Sequence, residues 1–149
     1  MALNVTTGEV IGQCRRSRDG AEFLALLRKA VAPHRGREVQ VVLHNMSTHT
    51  PPDVQAWLQA NPHVQFHFTP MGSSWMNQIE TWFGIITKQA IRRGAFSSVQ
   101  VLIRSIRGDI ATWSANPRPL QWTATADDIL AKVELVQTSI KQLVANNAK

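Results

Sequence analysis

At 149 residues the chain has the size of one ordinary domain, and 44% hydrophobic residues are enough to fill a core. The 16 Lys and Arg outnumber the 10 Asp and Glu, giving a net charge of +6 that suits a polyanionic partner through phosphate neutralisation without naming that partner. A single cysteine, Cys14, excludes an internal disulfide or a Cys-rich zinc cluster, and no apolar run approaches the roughly 20 residues of a membrane span, so the expected location is the cytoplasm.

Two short apolar stretches, Ala2 to Val5 and Val10 to Cys14, flank Thr6, Thr7 and Gly8 and predict a β-hairpin. Phe23, Leu24, Leu27 and Val31 then recur at helical spacing, with Asp19 as cap and Pro33 as terminator. Val39, Val41, Val42 and Leu43 form a β-branched run, the pattern of a parallel strand covered on both faces, which stops at His44 and Asn45. Thr50 is placed to cap a helix opening on Pro51, with Val54, Trp57 and Leu58 inward. Val64, Phe66 and Phe68 alternate with Gln65 and His67, the period of a strand with one buried face.

Ser73 or Ser74 can cap the next helix, expected to reach about Arg93 and to close at Gly94. Trp75, Ile79, Trp82, Phe83, Ile86 and Ala90 make its apolar stripe, while Asn77, Glu80, Gly84 and Lys88 share a different face. A capping box of Ser97 and Gln100, with Phe96 packed on Val101, starts a helix whose stripe is Leu102, Ile106, Ile110 and Trp113. Asn116 to Pro119 break the chain. A last helix follows Thr125, boxed by Asp128; its stripe of Ile129, Val133, Val136 and Ile140 can dock on the domain or on another subunit, and Ala145 to Lys149 are expected to fray.

In an open α/β sheet, ligands gather beyond the carboxyl ends of the strands, which gives His44 and Asn45 a functional location. The segment from Val41 to Ser98, with HFTP leading into SSWMNQIE, and the later NPRP and QWTATAD segments resemble the DDE transposase domain of bacterial insertion sequences related to the Tc/mariner group. The resemblance covers residues 2 to 134 and implies a domain of 1–134 with a helical extension and tail over 135–149. The implied fold is α/β, an incomplete RNase H-like mixed sheet flanked by helices.

The implied chemistry is DNA cleavage and strand transfer, in which three acidic residues hold two Mg²⁺ or Mn²⁺ ions. Two such cations activate an attacking oxygen and stabilise the leaving one, and they prefer hard carboxylate ligands. Glu80 matches the family's third acid, on the helix of an SxLNxxE-like motif. Position 44 should carry the second acid, yet it is His44, whose neutral imidazole removes both charge and ligand type. The first acid has no counterpart, since the chain opens at what resembles the second strand; Asn4 is no substitute. The expectation is therefore an N-terminally truncated domain, without the preceding DNA-end-recognition region and without productive metal binding.

By the same resemblance, Asn45 and Asn77 are candidate substrate contacts, and Asn77 shares a helical face with Glu80. His44, His49 and Glu80 are of the residue types that bind zinc or manganese, but no motif fixes their geometry. Three functions follow: a decayed transposase fragment that does not cut, a non-catalytic DNA-binding or transposase-interacting module, or a rebuilt metallohydrolase. The partners implied are DNA, full-length transposase or a second copy of the chain.

Overall fold

The computed structural model describes residues 1–92 and 94–147. Its first turn is built by Asn4, whose side-chain oxygen accepts the N–H groups of Thr6 and Thr7 while its backbone bonds Gly8 and Glu9. The turn closes strands β1 (Ala2–Leu3) and β2 (Val10–Ile11), antiparallel with Leu3 opposite Val10. The hairpin is present but shorter than its apolar stretches foretold. Gly8 has φ of 78°, and a Cβ there would stand 2.3 Å from the carbonyl of Arg118, so both backbone conformation and space demand glycine.

Helix α1 (Gly20–Val31) is capped by Asp19, which accepts from the N–H of Glu22 at 2.9 Å; that acceptance holds the Asp19 carboxyl below its ordinary range. Strand β3 (Val39–His44) follows, then α2 (Pro52–Ala60) and β4 (Val64–Thr69). β3 and β4 pair in parallel, Val39 with Val64 through His44 with Thr69. The connection through α2 is the crossover such a pair requires.

Three local expectations need correction here. α2 is not capped by Thr50: a tight turn over Ser47–His49 intervenes, Pro51 holds the cap position, and Pro52 opens the helix. β3 is covered on one face only. Val39 and Val41 pack on the helices while Val42 is 51% exposed, because both helices lie on the same side. Phe68, at the end of β4, is likewise 43% exposed.

The segment expected as one helix from Ser73 is divided. A tight turn over Ser74–Met76 comes first, then α3 (Gln78–Ile86), and the chain winds on through a wider turn at Thr87–Ile91. Arg93 and the Ala90 side chain lie outside the described residues. The cap of α3 is Asn77 and not a serine; Ser73 is fully buried, with its hydroxyl unpartnered. α4 (Val99–Ala115) is capped by Ser98, one residue later than expected, through a 3.3 Å bond to the N–H of Val101.

α5 (Ala126–Asn147) has the expected box: Asp128 accepts from the Thr125 N–H at 3.1 Å, and the Asp128 N–H donates back to the Thr125 hydroxyl at 3.2 Å. Val133 is buried, Ile129, Val136 and Ile140 are half-buried, and the stripe docks on this same chain. Val136 and Ile140 press so closely on Gly72 that a Cβ there would meet Val136 at 2.7 Å. The helix continues through Ala145 to Asn147; residues 148 and 149 lie outside the described residues.

The architecture is α/β, but the single mixed sheet expected is replaced by two separate two-stranded sheets among the described residues. Each has its own core. Leu24, Leu27, Val31, Val54 and Val64 join α1 and α2 to the parallel pair. Val10, Ile79, Trp82 and Ile86 join the hairpin to α3, with Ile110 and Trp113 of α4 packed against them. Among the described residues no helix is long and apolar enough to cross a membrane.

Candidate functional site

His44 is the last residue of β3, opposite Thr69 at the end of β4, and Glu80 lies in the first turn of α3. The chain between them reverses through Pro70 and Gly72 and enters α3 through the Asn77 cap, which brings the helix start to the carboxyl end of the strands. His44 Nδ1 thereby stands 3.9 Å from Glu80 Oε1. That separation exceeds a hydrogen bond; it is an ion pair only when the imidazole is protonated.

Helical spacing separated Glu80 from the apolar stripe, and burial agrees: Ile79, Trp82 and Ile86 are buried, whereas the Glu80 side chain is 44% exposed. The His44 ring is more enclosed. Its Nε2 is buried without a hydrogen-bond partner, and its backbone carbonyl accepts both the Met46 N–H and the Nδ1–H of His49. Burial depresses the His49 pKa, with smaller depressions from His44 and Arg18, while the bond to the His44 carbonyl opposes them. His49 also lies against Phe23, ring centroids 4.4 Å apart, so it faces the helix core and not Glu80.

Asn45 is exposed immediately after the strand. Asn77 is half-buried and its side-chain oxygen accepts from the Ile79 N–H at 3.4 Å, while its carbonyl accepts from the Glu80 N–H at 2.9 Å. The visible work of Asn77 is therefore to set the direction of the first helical turn, and with it Glu80. Gln78 was not anticipated. Its amide donates to the Leu120 carbonyl at 3.0 Å, tying the NPRP region to the start of α3; residues 42 apart leave no local sequence signal for such a bond.

Beside His44, on the same face of the sheet, lies a cleft of about 340 Å³ lined by Val42, His67, Thr69, Met76, Trp122 and Ile129, among others. The lining is largely apolar, and it offers no second carboxylate to the site.

Two-metal sites hold their ions roughly 3.5–4 Å apart and surround both with oxygen ligands. Here the strand end contributes one imidazole and the helix one carboxylate, and among the described residues no group of three or more His, Cys, Asp or Glu is placed to hold a metal. One carboxylate cannot neutralise four positive charges, and the imidazole adds none of the required negative charge. The donor set does not fit a Mg²⁺ or Mn²⁺ pair.

Residues 1–103, which include both sheets, His44 and Glu80, match the sequence model of the DDE superfamily endonuclease family. The chain belongs to that family. It is also similar to the insertion element IS630 uncharacterized 39 kDa protein of Shigella sonnei, 27% identical over 117 residues, which is 78% of this chain and 34% of that protein. The chain thus spans about a third of the length of the curated relative it matches. No solved structure matches the chain.

Proposed function

We propose that this chain is a portion of an insertion-sequence transposase whose ancestral activity is metal-dependent DNA cleavage and strand transfer, and that the 149-residue chain itself does not cut DNA. Family membership supports the activity class; the His44 and Glu80 donor set carries the second half of the proposal. The expected RNase H-like arrangement is retained as part of it, with residues 1–134 as a partial domain and 135–149 as a C-terminal helical extension and tail. A cytoplasmic location belongs to the same proposal.

Glu80 and His44 occupy the places of a metal-binding acid and of a second one that is missing, with Asn45 and Asn77 beside substrate DNA. Without a working metal pair, no group among the described residues is placed to activate water or stabilise a leaving 3′ oxygen, so the chemical step has no catalyst. The remaining capacity is binding. A net charge of +6 favours DNA by counterion release, which supports a second reading as a non-catalytic DNA-binding module that associates with complete transposase or with itself.

The test is a DNA cleavage assay in Mg²⁺ and in Mn²⁺, comparing the unmodified chain with Glu80→Ala. No cleavage is expected from either. Metal-dependent cutting by the unmodified chain that disappears in Glu80→Ala overturns the inactive assignment. In parallel, DNA retention should weaken steeply as salt rises; absence of binding at low salt eliminates the DNA-binding reading.

A further inference from the structure

Beyond Ile86, at the end of α3, the backbone leaves the α-helical pitch. The Arg92 N–H donates to the Thr87 carbonyl at 2.9 Å, five residues back, and Thr87–Ile91 form a π turn. Such a turn holds about one residue more than an α-helical turn, so positions after it fall back by roughly 100° around the axis. In an unbroken α-helix Arg92, twelve residues after Glu80, would stand roughly 120° away from it. With one residue absorbed by the wide turn, the spacing becomes that of about eleven residues, or three full turns, and Arg92 returns to the Glu80 face. Lys88 lies inside the turn and is drawn the same way, and Gly84 is one turn beyond Glu80 on that face.

Gly84, Lys88 and Arg92 are all exposed. Lys88 and Arg92 stand about one turn apart, where like charges repel, and among the described residues neither makes an ion pair. A glycine inside a helix costs stability relative to alanine, yet a Cβ at Gly84 would meet nothing within 4 Å, so packing among the described residues does not require it. A repelling cation pair and a bare stretch of backbone on one face both suit a close-lying polyanion.

We propose that Gly84, Lys88 and Arg92 form a track for one DNA sugar-phosphate strand leading away from Glu80. The two cations neutralise its phosphates, and Gly84 gives the strand room to run close to the helix between them and Glu80. The track presupposes the proposed function, by which the Glu80 face meets DNA; a face that must admit substrate stays open in a longer form of the chain too. Lys88 lies roughly 12 Å along the axis from Glu80, several nucleotide steps away, so both cations bind the strand and touch no reacting atom.

The test is the salt dependence of binding to a labelled DNA duplex of arbitrary sequence, with helical circular dichroism as the check on folding. Lys88→Gln with Arg92→Gln should weaken binding at low salt by about tenfold or more and flatten the log–log salt slope by about 1.8, the value for two phosphate contacts. Arg35→Gln with Arg37→Gln removes the same charge from two exposed residues before the opposite end of β3, and should change the slope by less than about 0.5. Gly84→Gln places a better helix former at an open position, so it should be no less stable and still bind about tenfold more weakly. Equal losses from the two arginine-containing pairs, or full-strength binding by Gly84→Gln, overturn the track and leave DNA binding itself standing. No binding by the unmodified chain at low salt removes the DNA-binding reading and the track with it. If the Lys88 and Arg92 double variant loses its helical signal, Gly84→Gln decides alone.

Discussion

The indole N–H of Trp113 donates to the carbonyl of Gly8 at 2.7 Å, joining α4 to the hairpin turn across 105 residues of sequence. Ser114 reinforces the contact, its hydroxyl donating to the Val10 carbonyl at 3.2 Å and accepting from the Val10 N–H at 3.4 Å. The hairpin is therefore held by α4 as much as by its own two-residue strands.

Trp113→Phe deletes the donor and part of a ring system packed on Trp82, so it should cost more than about 1 kcal/mol in chemical denaturation, the typical net value of one hydrogen bond. Gly8→Ala should cost more than ~1 kcal/mol, since φ of 78° and the Arg118 carbonyl both oppose a side chain. Gly36→Ala separates the two causes: Gly36 has a similar φ of 77° but open space around it, so its loss should be the smaller.

The cap of α4 is tested by a pair of neighbouring substitutions. Ser98→Ala removes the side-chain acceptor of the Val101 N–H and should lower stability by about 1 kcal/mol, whereas Ser97→Ala should be near neutral. Equal effects would contradict the assigned cap.

The depressed pKa of His49 makes stability depend on pH in a definite direction. A histidine whose folded value lies below its unfolded value binds more protons when unfolded, so its contribution is complete above the unfolded range near 6.5 and is lost as pH falls through the window down to the folded value. Denaturation midpoints of the unmodified chain should therefore drop on acidification through that window more steeply than those of His49→Gln. An identical pH dependence would show that burial of His49 is not the cause.

Much of this fold was legible because its signals are local. The Asp19 cap, the α1 stripe and the box of Thr125 and Asp128 join residues within a turn of one another, and each stands as spacing indicated. The errors at Thr50, Ser73 and Ser97 share a cause: several residues at each boundary can cap, and neighbouring packing selects among them. The exposure of Val42 and Phe68 was hidden for a different reason. A β-branched run records what a strand can bury, and only the tertiary arrangement determines whether something covers it.

At the site, Glu80 could be separated from the apolar stripe by helical period, and the strand-end position of His44 by the abrupt stop of the β-branched run. Their 3.9 Å approach depends on the intervening loop and on the Asn77 cap, and the bond from Gln78 to Leu120 is wholly tertiary. The family motif supplied the pairing of the two positions; periodicity alone did not.

Divalent-metal titration of the chain, followed by the loss of the free Mn²⁺ electron paramagnetic resonance signal, bears most directly on the shortage of acidic ligands. The unmodified chain should leave Mn²⁺ free at stoichiometric concentrations, while His44→Asp, which sets a second carboxylate beside Glu80, should bind it measurably more tightly. Two tightly held Mn²⁺ ions per unmodified chain, released by Glu80→Gln, would contradict the account.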